Sequence, residues 1–191
     1  MSVFDFALKG KHNHYNTMAA CVAATTLDIR KEKIRDAVQN FQALEHRMEH
    51  VATVRGVEFI NDSKATNADS TEKALTSFES GIYWILGGKP KAGGITTLEP
   101  YFPRVVKAYL IGEATEEFAA TLDGKVAFER CGTLDVAVRR AAGEALEAGT
   151  QGSVVLLSPA CASYDQFKNF EVRGDAFKRL VADIVFERSG T

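Results

Sequence analysis

Ser153-Val154-Val155-Leu156-Leu157-Ser158-Pro159 is the stretch on which the fold turns. Four consecutive apolar residues lie between two serines, and a proline closes the run. A strand with one wet face would alternate. A run apolar on both faces is what a strand buried inside a parallel sheet requires. Ahead of it, residues 134–148 place Leu134, Val138, Ala141, Ala142 and Ala145 on one helical face, and glycines at 149 and 152 break the helix. Behind it, a helix is expected over 175–186, with Phe177, Leu180, Val181, Ile184 and Val185 on one face.

The same alternation continues outward. Ile82-Tyr83-Trp84-Ile85-Leu86 reads as a strand running into Gly87-Gly88-Lys89-Pro90-Lys91. Residues 105–111 form another strand, ending at Gly112. A helix over 115–122 and a short strand over 125–128 follow. Upstream, residues 51–54 and 57–60 are β-rich runs joined by Arg55-Gly56, a hairpin that adds one antiparallel edge strand. Strand–helix alternation defines an α/β domain. The expected fold is a Rossmann-like, mostly parallel sheet of about six strands with flanking helices, over residues 44–191.

Residues 1–43 stand outside that domain. Residues 1–10 read as an extended lead. A helix over about 13–27 carries a narrow stripe of small residues, Ala19, Ala20, Ala23 and Ala24, ending at Leu27. Asp28 is the expected cap of a second helix over 31–41, with Ile34, Ala37, Val38 and Phe41 on one face. Two helices joined by a short turn cannot bury those stripes alone.

Composition excludes several classes. The 191 residues are 46% hydrophobic and 25% charged, with a net charge of −2. No strong field points to nucleic acid or to an anionic membrane. No apolar run reaches the ~18 residues of a membrane span, and the first residues lack the pattern of a signal peptide. Cys21, Cys131 and Cys161 are far apart and odd in number, as reduced, buried thiols of a cytoplasmic protein are.

Between the hairpin and the next helix lies Asn61-Asp62-Ser63-Lys64-Ala65-Thr66-Asn67, six of whose seven residues are polar or charged. A plain connector would show glycine or proline. In open α/β sheets, ligands bind at the carboxyl ends of the strands. Two more strand ends carry unusual residues: 87–91 and Ser158-Pro159-Ala160-Cys161-Ala162-Ser163. Facing one crevice, the three loops offer lysines, hydroxyls and backbone N–H groups, a set suited to an anionic small ligand. Each residue also has a plainer role open to it. Asp62 could cap the next helix, Lys64 could be a solvated surface lysine, and Gly87-Gly88 could be a tight turn. Arg47 could form a surface ion pair. No GxxxxGK[ST] or GxGxxG occurs, Ser163 is not in a GxSxG elbow, and Cys161 reads as a buried thiol. His12 and His14, and His46 and His50, lack the supporting ligands of a metal site, so none is expected.

Glu45-His46-Arg47-Met48-Glu49, the 61–67 run, Gly87-Gly88-Lys89-Pro90-Lys91 and Leu157-Ser158-Pro159-Ala160-Cys161-Ala162-Ser163-Tyr164-Asp165-Gln166-Phe167-Lys168-Asn169-Phe170-Glu171-Val172-Arg173-Gly174 occur in that order. Together they resemble the C-terminal half of the Mur ligase family, and within it the branch that adds D-glutamate. Gly10-Lys11-His12-Asn13-His14-Tyr15-Asn16 resembles a motif near the end of the family's central ATPase domain. The resemblance implies that residues 1–43 are the helical tail of that domain, a two-helix remnant whose missing partners include the N-terminal and central domains. The phosphate loop and the Mg2+ ligands are absent from this sequence, so the chain looks like a fragment, inactive alone.

The implied reaction uses ATP with Mg2+. The carboxylate of UDP-N-acetylmuramoyl-L-alanine is phosphorylated, and the amine of D-glutamate attacks the acyl phosphate. An amide, ADP and phosphate result, a step of peptidoglycan synthesis. By the family's motifs, Thr66 and Lys91 hold one carboxylate of D-glutamate, and Ser163 and the backbone at Phe170 hold the other. Asn13 and Asn16 contact adenine. Arg47 and Asp62 reach the ribose and phosphates. Lys64 stands close by as a candidate catalytic charge. A stand-alone binding module for an amino acid or nucleotide, and a Mur-type ligase of different amino acid specificity, are the alternatives.

Overall fold

A computed structural model describes residues 11–40 and 44–189. It divides into two compact units, Met1–Leu44 and Glu45–Thr191. The expected extended lead and Phe41 lie outside the described residues.

The first unit contains α1 (Lys11–Thr26) and α2 (Lys31–Gln39). Asp28 does not cap α2. It takes a left-handed φ of 56° in the turn that ends α1, where Ile29 N donates to Ala24 O. Arg30 stands at the cap position without a side-chain bond. Asn40 folds back instead, its N and Nδ2 both donating to Asp36 O, and this ends α2 short of the expected boundary. The expected stripes are only partly covered: Ala24, Ile34 and Val38 are half-buried, no residue of α2 is buried, and Leu27 is 75% exposed.

The second unit is a six-stranded sheet in the order β1-β2-β6-β3-β4-β5. The strands are β1 (Glu49–Val54), β2 (Val57–Asn61), β3 (Ile82–Gly87), β4 (Val105–Ile111), β5 (Phe128–Gly132) and β6 (Val154–Leu157). β1 pairs antiparallel with β2 and forms the edge; every other pairing is parallel. β6 is central, and its four residues are all buried. The expected hairpin, mostly parallel sheet and central strand are all observed.

Alternate side chains of the central strands face two cores. Trp84, Leu86, Leu110 and Leu156 pack under α3 (Ala68–Thr76), α4 (Thr115–Leu122) and a 3-10 turn (Thr96–Arg104). Tyr83, Ile85, Val155 and Leu157 pack under α5 (Leu134–Ala148) and α6 (Phe170–Ser189). The 3-10 turn, with Pro100 and Pro103 inside it, joins β3 to β4 where the sequence reads only as a connection.

Two further boundaries differ from expectation for physical reasons. β5 begins at Phe128 rather than 125, because Lys125 N and Val126 N donate to Leu122 O and wrap the end of α4. α6 begins at Phe170 rather than 175: Asn169 Oδ1 accepts from Val172 N and starts the helix early. Of the three cysteines, only Cys161 is buried; Cys21 and Cys131 are half-buried, and all three are free.

Candidate functional site

β2, β6 and β3 are neighbours and parallel, so the loops 62–67, 158–163 and 88–91 emerge side by side at one edge of the sheet. The α6 N-terminus meets them there. This topology turns three separate strand endings into one surface.

The loop after β2 is largely buried and densely hydrogen-bonded. Asn61 Nδ2 donates to Glu49 Oε2 at 2.9 Å and faces His46 Nδ1 at 3.0 Å. Asp62 is 5% exposed. Its Oδ1 accepts from Met48 N at 3.1 Å and its Oδ2 accepts from Ser158 Oγ at 2.8 Å. Burial pushes its carboxyl up to about 7, against the pull of Ser158, Met48 and Arg47. Asp62 does not cap α3; Asn67 does, with Oδ1 accepting from Ser70 N at 2.9 Å. Ser63 Oγ donates to Phe170 O at 2.8 Å, and so joins the loop to the first residue of α6.

The residues expected to bind D-glutamate lie on these loops. Lys91 Nζ donates to Thr66 Oγ1 at 3.3 Å, across two different strand endings. Lys64 is exposed, and its ammonium stands 4.6 Å from the centroid of the Phe170 ring. Ser163 is buried, and its carbonyl accepts from Gln166 N and Phe167 N. Phe170 opens α6, whose first amides have no partner inside the helix. Two ammonium groups, two hydroxyls and helix-terminal N–H groups form a set that suits a small ligand with more than one carboxylate.

Among the expected nucleotide residues, Arg47 is exposed, and its charge acts on the Asp62 carboxyl. Asn16 is exposed in the first unit, while the side chain of Asn13 lies outside the described residues. Cys161 is fully buried and its thiol is pushed up to about 12, an unreactive state. His46 is buried against Asn61, whereas His50 is exposed and bonded to Thr53. Among the described residues no group of three or more His, Cys, Asp or Glu could hold a metal ion. No helix among them is long and apolar enough to cross a membrane.

Two glycines make the close packing possible. A Cβ on Gly87 would meet Ile111 O at 2.0 Å, and one on Gly88 would meet Ala162 O at 2.4 Å. Both take left-handed φ angles, 122° and 130°. Lys89 N can then donate to Ala162 O at 2.9 Å and tie the loop after β3 to the loop after β6.

Arg173 was missed as a site residue. It is 1% exposed, and its guanidinium reaches Ser63 and Cys161. One signal could have found it: Arg173, Phe177, Val181 and Ile184 are spaced i, i+4, i+8 and i+11, which places an arginine on the buried face of α6.

Loops from three neighbouring parallel strands, carrying cations and hydroxyls beside a helix N-terminus, make this an α/β domain with its polar groups gathered at the carboxyl ends of its strands. The chain belongs to the Mur ligase, glutamate ligase domain family, whose profile matches residues 46–161. Its curated relatives include the UDP-N-acetylmuramoylalanine–D-glutamate ligases of Nitrobacter winogradskyi, 57% identical over 175 residues, and of Agrobacterium fabrum, 56% identical. Each match covers 92% of this chain and 37% of the relative, so the chain spans little more than a third of their length. Among solved structures, MurF from Acinetobacter baumannii matches with a TM-score of 0.64 at 19% identity, over 93% of this chain and 38% of that one. UDP-N-acetylmuramate-alanine ligase from Thermotoga maritima matches with a TM-score of 0.61 at 15% identity, over 94% and 39%. At such identities the likeness is one of fold.

Proposed function

We propose that this chain is the amino-acid-holding part of an ATP-dependent ligase that joins D-glutamate to UDP-N-acetylmuramoyl-L-alanine in peptidoglycan synthesis. The observation that carries the reading is the convergence of Thr66, Lys91, Ser163 and Phe170 at one sheet edge, in a chain 57% identical over 175 residues to a relative of that name. D-glutamate carries two carboxylates, and the edge offers two cationic groups with hydroxyl and N–H donors between them. Thr66 and Lys91 take one carboxylate; Ser163 and the Phe170 N–H take the other. Lys64, held over the Phe170 ring, adds positive charge beside them. Arg47, just ahead of β1, and Asp62, at the start of the loop after β2, serve the nucleotide in this reading.

In this role the chain's residues position and neutralise; they make and break no bond of the phosphoryl step. ATP brings the phosphoryl group that activates the acceptor carboxylate. In this reading the Mg2+ that accompanies ATP is held by the part of the enzyme that this chain does not span. Residues 1–43 are the tail of the central ATPase domain in this reading.

The test is a chimera in which this chain replaces the matching 175-residue segment of the Nitrobacter winogradskyi ligase. ADP release should depend on D-glutamate and not on L-glutamate or D-alanine. Dependence on a different amino acid would overturn the specificity. A folded chimera without any amino acid dependence would overturn the role.

A further inference from the structure

Arg173 is a charged side chain where the fold has every reason to place an apolar one. It stands on the face of α6 that buries Phe177, Val181 and Ile184. Burial is costly enough to lower its guanidinium to about 10. What the cation gains is a set of bonds between segments far apart in sequence. Nε donates to Ser63 Oγ at 3.0 Å, and Nη2 donates to Ser63 O at 2.8 Å and to Cys161 O at 3.1 Å. Nη1 has no hydrogen-bond partner among the described residues and lies 3.2 Å from where a Cβ of Gly88 would stand.

We propose that Arg173 is a positioning residue: one buried guanidinium sets the spacing of the four segments that hold the amino acid. This inference rests on the functional reading above. Ser63 belongs to the loop of Lys64 and Thr66, Cys161 to the loop of Ser163, and Gly88 to the loop of Lys91. The fourth segment is Arg173's own: Phe170 opens the same helix, and the Ser63 hydroxyl that accepts from Arg173 donates to Phe170 O, so the loop is tied to that helix at two points. The planar fork is what the task needs. It bonds two carbonyls and a hydroxyl in one plane, which a lysine ammonium at the end of a flexible stem cannot do. Arg173 touches no ligand in this role; it acts through the groups that do.

The substitutions are Arg173→Lys and Ser63→Ala, made in the chimera and in the 191-residue chain. Arg173→Lys in the chimera should raise KM for D-glutamate at least about tenfold, while KM for ATP stays within about twofold. Ser63→Ala should raise it by about threefold or more, since the bond to the Ser63 carbonyl survives. In the isolated chain without ligand, hydrogen exchange should quicken at Ala65, Thr66, Lys89 and Phe167 and stay slow at Trp84 and Leu110. Parallel increases in both KM values, with faster exchange throughout the sheet, would reduce Arg173 to an ordinary core contact and overturn the proposal. No change in either readout would do the same. If Arg173→Lys fails to fold, Ser63→Ala is judged by the same two outcomes. If the unsubstituted chimera ignores D-glutamate, the functional reading fails. The ligand-free exchange pattern then still decides whether Arg173 orders these loops.

Discussion

The Lys64 ammonium stands 4.6 Å from the centroid of the Phe170 ring, although one follows the second strand in the chain and the other opens the last helix. The contact fixes a solvent-exposed lysine that would otherwise sweep freely. A cation over an aromatic face at an exposed site is worth about 0.5–1 kcal/mol. A double-mutant cycle of Lys64→Met and Phe170→Leu, read by urea unfolding, should return a coupling energy of that size. Additive effects would leave Lys64 an independent surface charge.

Lys91 and Thr66 meet at 3.3 Å from different strand endings. A charge-assisted hydrogen bond to a ligand carboxylate contributes about 1.5–3 kcal/mol. In the chimera, Lys91→Ala should therefore raise KM for D-glutamate about 10- to 100-fold and leave KM for ATP nearly unchanged. An unaltered KM for D-glutamate would remove Lys91 from the site.

Asp62 makes stability depend on pH in an unusual direction for a carboxylate. Its pKa is raised in the fold, from 3.8 to about 7, so folding favours the protonated form. The contribution is complete below about pH 4 and is lost as pH rises through 7, on the order of 4 kcal/mol. Asp62→Asn keeps an oxygen for Met48 N and cannot ionise. Urea unfolding at pH 5 and pH 8 should show a smaller fall in stability with pH for Asp62→Asn than for the unsubstituted chain. Equal slopes would mean that Asp62 is ionised throughout the range.

Gly88 and Gly143 should respond oppositely to alanine. At Gly88 a Cβ meets the backbone oxygen of Ala162 at 2.4 Å, at a φ of +130°. The added methyl and the strained backbone together should cost about 2–4 kcal/mol. Gly143 lies within α5 with nothing within 4 Å of its Cβ position. Alanine there should stabilise by about 0.5–1 kcal/mol. Thermal melts of the two variants would compare them directly.

How far the residues alone foretell this molecule depends on the kind of signal they carry. Val154 to Leu157 announce a central strand because burial on both faces leaves no polar position. The edge hairpin is legible because Arg55-Gly56 interrupts two β-rich runs, and both residues take positive φ. Thr66, Lys91, Ser163 and Phe170 are recognisable only through a family pattern; spacing alone leaves each a surface residue or a cap. The start of α6 is hidden because Gly174 reads as a helix breaker. In the fold the glycine is required, since a Cβ there would meet His46 Nδ1 at 2.2 Å. Asp62 is the reverse case: its burial follows from Met48 and Ser158, distant partners that no local pattern reveals.

The position of β6 has a consequence for how the domain is made. β2 and β3 do not pair with each other; the strand synthesised last lies between them. Without residues 154–157, the pairings that remain are β1-β2 and β3-β4-β5, two ribbons whose facing edges have nothing between them to pair with. Closing the gap joins the ribbons and, in the same event, brings the loop of Ser163 between those of Thr66 and Lys91. The pairing of both ribbons and the side-by-side placement of the three loops therefore depend on the last strand to be made.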